Sequence, residues 1–160
     1  MAVDVFLKLE NINGESKDEK GHTDEIEIMS FSWGMSQSGT THSGPGGGAG
    51  KVHVHDLSLV KFMDKSSPIL AQFCATGEHI ATGQLTARKA GKDPVEYIKI
   101  ELKEIIVTSV QFGGSAEGDR FTESLSLNFA DFKILYTPQK DDGSADTEVP
   151  FHYNIPAGSM

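Results

Sequence analysis

The sequence predicts a mainly β domain, a curled sheet or barrel of about eight strands with one short helix. Three observations lead there. Apolar and polar residues alternate along most of the chain, as strands half-buried on one face require. Within otherwise continuous segments the alternation slips phase, which marks bulges and suits a curled sheet better than a flat one. Helical spacing of apolar residues occurs once, at about residues 65–76. The 160 residues fit one domain, 1–160, long enough to bury a core without staples, and no internal repeat divides it.

Val3, Val5, Leu7 and Leu9 share one parity and form the first strand, while Asn11 to Asp24, polar and broken by Gly14 and Gly21, reads as a surface loop. Ile26 and Ile28 alternate with Glu25 and Glu27. Their parity switches before Phe31, which predicts a bulge or bend near Met29–Ser30. The next strand sends Phe31, Trp33 and Met35 toward a core and leaves Ser32, Gly34 and Ser36 on the other face. A long extended glycine-rich loop, about 38–51, interrupts the pattern; an insertion of that length in a compact domain is usually a contact or functional element.

Lys51 to Val60 resumes as a strand with Val52, Val54, Leu57 and Leu59 inward. Asp64, Ser66 and Ser67 are N-cap types and Pro68 suits a first helical turn. Ile69, Leu70, Phe73 and Cys74 make an apolar stripe that ends at Gly77. A helix this short needs tertiary packing, so it plugs or caps the sheet. His79 to Lys89 and Val95 to Leu102 form a hairpin. Val107 to Phe112 follows after a slip at Glu104–Ile106. Phe121, Leu125, Leu127 and Phe129 are in phase, and Phe132, Ile134 and Tyr136 follow a slip near Ala130. Val149 to Ile155 adds a last short strand whose pairing Pro150 limits.

Twenty-three acidic against fourteen basic side chains give a formal charge of −9, which opposes generic binding to nucleic acid or anionic lipid. The single Cys74 excludes an internal disulfide framework. The start, MAVDVFLKLE, lacks the basic and apolar regions of a signal peptide, and no run is apolar enough to insert in a membrane. Synthesis in the cytosol is expected, with any export independent of a signal peptide.

Candidate chemistry is weak throughout. Gly44 to Lys51 invites comparison with a phosphate-binding loop, but Pro45 stands where a glycine is needed and Val52 where Ser or Thr is needed. Gly44, Gly46 and Ala49 fit a degenerate dinucleotide fingerprint, yet a strand follows where that motif needs a helix. His53 and His55 project from one strand face and, with Asp56 or His42, could offer metal ligands. No closing ligand pair appears elsewhere, so a solvated strand face is the favoured reading. Cys74 reads as a small buried hydrophobe, and Ser115 lacks the surroundings of a nucleophile elbow. The expectation is a protein that is not an enzyme and holds no cofactor or metal. The remaining feature is the small, uncharged face of Ser32, Gly34 and Ser36 in a chain otherwise generous with surface charge: the pattern alone fits equally a face that lines a channel or lies under another chain and an ordinary solvent face beside a core of Phe31, Trp33 and Met35.

The chain resembles the Hcp family, the tube proteins of bacterial type VI secretion systems, from Ala2 to about Tyr153. Ordered blocks carry the resemblance: Asp4 to Leu9; Gly14-Glu15-Ser16; Ser32-Trp33-Gly34-Met35-Ser36; the glycine loop into Lys51-Val52; Asp56-Leu57; Asp64-Lys65-Ser66 with Pro68; Arg88-Lys89-Ala90; Val95-Glu96-Tyr97; and Leu127-Asn128-Phe129-Ala130. The resemblance implies a two-sheet β-barrel with one short α-helix, a homo-hexameric ring, and rings stacked into a hollow tube. A contractile sheath drives that tube, tipped by the VgrG spike, into a neighbouring cell, and effector proteins ride in the lumen. The protein would therefore be cytoplasmic when made and then secreted. By position, Ser32, Gly34 and Ser36 are the lumen candidates. Thr40, Thr41, His42, Ser43, Gly44, Pro45, Gly46, Gly47, Gly48 and Lys51 are the ring-stacking candidates. The alternatives are a soluble β-barrel binding module that forms no tubes and a metal-assisted hydrolase using His53 and His55.

Overall fold

Two adjacent residues bring the ends of the sheet together. The computed structural model describes residues 3–39, 50–89 and 91–160. Its elements are β1 (Val3–Leu9), β2 (Ile26–Glu27), β3 (Ser30–Ser32), β4 (Met35–Gln37), β5 (Val52–Val54), β6 (Leu57–Phe62), α1 (Ser67–Thr76), β7 (Ile80–Lys89), β8 (Glu96–Gly113), β9 (Thr122–Tyr136) and β10 (Val149–Asn154). The main sheet runs β2-β1-β7-β8-β9-β6-β3, with β10 also on β9, and all described pairings are antiparallel. Its first and last strands, β2 and β3, are consecutive in the chain. Between them the Ile28 N–H donates to Val5 O (2.9 Å) and the Met29 N–H to Val60 O (2.8 Å), so the bend expected near Met29–Ser30 is the barrel's seam. β4 and β5 form a separate two-stranded ribbon.

β8 and β9 are long enough to serve both halves of the barrel, provided their inward face can change parity midway. Along β8, Ile100 and Leu102 are buried before Glu104, and Ile105 and Val107 after it, so the inward positions pass from even to odd numbers. Glu104 takes a left-handed φ of 52°, which flips the side-chain order without shifting the register, since Lys103 pairs with Asp131 and Ile105 with Phe129. β9 makes the matching change between Phe129 and Phe132, both buried. A second irregularity, between Val107 and Ser109, does shift the register and returns Val110 to the core side opposite Leu125.

The core joins Leu7, Ile26, Leu57, Leu59, Leu85, Leu102, Ile105, Leu127 and Phe132 into one cluster. α1 packs on β8; Leu70 is fully buried, with Ile69, Phe73 and Cys74 half-buried against the core, as the stripe requires. Pro68 occupies the first turn. At the other end Gly77 adopts φ 70° and its N–H closes on Phe73 O. No described helix is long and apolar enough to cross a membrane.

Three expectations need correction. The Phe31–Gln37 segment is two strands rather than one: β3 pairs with β6, and β4 leaves for β5. Phe31 and Trp33 do pack on the core, Trp33 with its ring centroid 5.0 Å from that of Phe132, but Met35 on the ribbon is 39% exposed. Lys51 to Val60 likewise splits into β5 and β6 because the chain changes partner at His55–Asp56. Finally, the 11–24 loop is not merely superficial. Ile12, Ser16 and His22 are buried, and the Gly14 N–H donates to Asp24 O at 2.8 Å.

Candidate functional site

The uncharged face is wider than β3. Because β3, β6, β9 and β8 pair in that order, the register aligns Ser32 with Ser58, Ser58 with Ser126, and Ser126 with Ser109, a row of serines across the sheet. The neighbouring row is Ser30, Val60, Ser124 and Gln111. Leu57, Leu59, Leu125 and Leu127 alternate with these positions and are buried, so the strand period that builds the core also presents the hydroxyls outward. The face forms a shallow depression of about 400 Å³, and none of the residues lining it is charged. At its border Asp56 is engaged: Thr108 Oγ1 donates to Oδ2 (2.8 Å) and Asn128 Nδ2 to Oδ1 (2.9 Å).

The other half of the same strands is different. Gln84, Glu101, Lys133 and His152 are aligned across β7, β8, β9 and β10, with Lys103 and Asp131 beside them. The acidic excess of the chain is thus kept off one broad surface. Such a surface offers hydrogen-bond donors and acceptors without selecting strongly for charge.

Of the sequence-derived candidates, Ser32 lies in the serine row, whereas Gly34 and Ser36 lie toward the β4–β5 ribbon. There Ser36 is the register partner of His53, and the His55 N–H donates to Gly34 O at 3.0 Å. Lys51 is exposed at the start of the returning limb. The candidates from Thr40 to Gly48 lie outside the described residues. At the loop's base Gly50 is required, because a Cβ there would collide with Ser38 and the Gly39 backbone. Ser58, Ser109, Ser124 and Ser126 were not singled out from sequence. Their signal was available as serine recurring on the polar parity of strands whose other parity is Leu or Val.

Two charged clusters were also missed. Lys61 and Glu123 lie inside the barrel, each on the apolar parity of its own strand. His22 is held between Glu25, with Nδ1 3.0 Å from both carboxylate oxygens, and Glu96, with Nε2 2.6 Å from Oε1. Burial opposes charge on the imidazole, but the two carboxylates outweigh it and hold His22 above its ordinary pKa; burial likewise pushes Glu96 up and His22 overrides it, leaving Glu96 below the usual range. His22 also stacks on Phe6 at 4.6 Å between centroids, with the Arg88 guanidinium 4.9 Å from the same ring. Arg88 binds both oxygens of Asp18, whose pKa that contact lowers. These pairs pin the 11–24 loop to the sheet and line no depression shared with the serine rows. Among the described residues no group of three or more His, Cys, Asp or Glu is placed to hold a metal ion.

Residues 6–136 match the family model described as type VI secretion system effector, Hcp. Protein hcp1 of Pseudomonas aeruginosa is 52% identical over 157 residues, covering 97% of this chain and 96% of that one. Among solved structures, the crystal structure of Hcp1 from Salmonella typhimurium superposes with a TM-score of 0.82 at 36% identity, covering 99% of each chain. A structure described as a type six secretion system protein reaches a TM-score of 0.93 at 28% identity, again over 99% of each chain.

Proposed function

The chain belongs to the Hcp family of type VI secretion proteins, and from that premise we propose that it is the subunit of a secreted tube that carries effectors. Six copies close into a ring, rings stack into a hollow tube, and the tube works with a VgrG spike inside a contractile sheath. Ser32, together with the serine rows beside it and with Gly34 and Ser36, lines the lumen. The segment from Thr40 to Lys51 makes the ring-to-ring contact. The observation that supports this reading is the uncharged, hydroxyl-rich face on a chain of net charge −9. An ordinary solvent face in so acidic a protein would carry its share of carboxylates, as the β7–β10 half does.

Light scattering with negative-stain imaging tests assembly: ring-shaped particles of hexameric mass are expected, and a monomer at high concentration overturns the reading. Effector retention in a pull-down from the producing strain tests the lumen. Ser32→Gln is expected to leave rings intact while reducing retention, because a longer side chain fills the depression without adding charge. Unchanged retention moves the cargo contact elsewhere.

A further inference from the structure

We propose that His53 and His55 form a two-imidazole site for a divalent transition-metal ion, with Cu(II) the best-matched occupant. The residues lie two apart on β5 and its continuation, so both rings leave the same face, and their centroids are 5.2 Å apart. Both are exposed. The backbone of His55 is held on two sides, its N–H donating to Gly34 O at 3.0 Å and its O accepting from Trp33 Nε1 at 2.9 Å, while His53 is paired in register with Ser36 on β4. A centroid separation of 5.2 Å is one that two imidazoles bound to a single ion can have.

Their surroundings set them apart from the other described histidines. His22 meets Glu25 and Glu96, His79 meets Glu104, and His152 meets Asp131. Among the described residues neither His53 nor His55 has a carboxylate at ion-pair distance; the polar neighbour is Ser36, with Oγ 3.4 Å from His55 Nε2. Their ring nitrogens can therefore bind an ion without first giving up an internal ion pair. Asp56, the oxygen ligand that its place in the chain offers, is instead held by Thr108 and Asn128. The protein thus supplies two nitrogens, and water completes the shell. Imidazole suits Cu(II), Ni(II) and Zn(II), and the Irving–Williams order puts Cu(II) first. The negative net charge of the chain favours approach of any cation. Since Ser36 pairs with His53 on this face, the lumen reading above places the pair toward the bore; metal binding by the chain itself does not depend on that reading.

The test is a Cu(II) titration of the full chain after chelator treatment and dialysis, followed by frozen-solution electron paramagnetic resonance. One ion per chain and nitrogen couplings from two imidazoles are expected. His53→Gln and His55→Gln should each weaken binding by roughly tenfold or more, since even an outer partner of a metal ligand is worth roughly 10–100-fold. Circular dichroism of the metal-free variants checks that these exposed substitutions leave the fold intact. Absence of saturable binding overturns the proposal, as does an unchanged affinity and spectrum in the double variant. Neither result bears on ring assembly or effector retention.

Discussion

Lys61 and Glu123 face each other across β6 and β9 with Nζ 3.1 Å from Oε1, and neither side chain reaches solvent. Their dependence is unequal. Lys61 Nζ also donates to Asp64 Oδ1 (2.9 Å), Ser67 Oγ (3.1 Å) and Phe62 O (3.1 Å), whereas neither Glu123 oxygen has an aligned hydrogen-bond donor and the ion pair is what compensates its charge. Lys61→Met should therefore cost about 3–5 kcal/mol by stranding a buried carboxylate, and Glu123→Leu should cost less. The double variant should recover most of the loss. Urea midpoints measure all three, and additive single-variant costs would show that the pair is not coupled.

The His22 clamp predicts a shape for stability against pH. The folded pKa of His22 lies above its ordinary value of 6.5, so its contribution is full below that pH and is lost as pH rises through the raised value. Glu96 and Asp18 lie below their ordinary values of 4.5 and 3.8, so their contributions are present above those values and are lost as pH falls through the lowered ones. These contributions overlap between about pH 4.5 and 6.5, where His22, Glu96 and Asp18 are all charged. Thermal unfolding from pH 4 to 9 should show Tm declining on the alkaline side, and His22→Gln should flatten that decline. An unaltered alkaline limb in the variant would remove His22 as its cause.

Gly14 is needed for close approach rather than for an unusual φ. A Cβ on it would stand 2.6 Å from the Ile26 Cα and against the Glu25 carbonyl, backbone atoms that cannot swing aside as a side chain end would. Gly14→Ala should destabilise by about 1–3 kcal/mol through overpacking and should loosen the 11–24 loop from β2. Amide hydrogen exchange is the direct check, with faster exchange expected at Ser16 and Asp24, whose N–H groups bond across this contact. Exchange no faster than in the unaltered chain would mean that the loop is held by Asp18 and His22 alone.

Strand content and the helix were legible because they depend on local periodicity. Val3 to Leu9 and the Ile69–Cys74 stripe hold their patterns regardless of neighbours, and the Glu104 and Ala130 slips were visible as broken alternation. Partner exchange was not legible. Nothing in Trp33-Gly34 or His55-Asp56 announces that the chain leaves one sheet for another, so β3–β4 and β5–β6 each read as a single strand. Met35 then reads as part of a core that the ribbon does not provide. The serine face was half visible for the same reason. Ser32 could be picked from its own strand, but its alignment with Ser58, Ser126 and Ser109 is a property of register, which pairs residues distant in sequence.

That register makes Ser58 as informative as Ser32. The two are direct partners on adjacent strands, both exposed, over Leu57 and Leu59 in the core. Surface changes here alter stability by no more than about 0.5 kcal/mol, so an effect on cargo would not be a folding effect. If effectors rest on the whole row, Ser58→Gln should lower retention in the same pull-down to an extent comparable with Ser32→Gln, with hexameric mass unchanged. Lys133→Gln on the charged half serves as the control and should leave retention intact. Loss in Ser32→Gln alone would confine the cargo contact to β3, and loss in Lys133→Gln would shift it to the charged ladder of β8, β9 and β10.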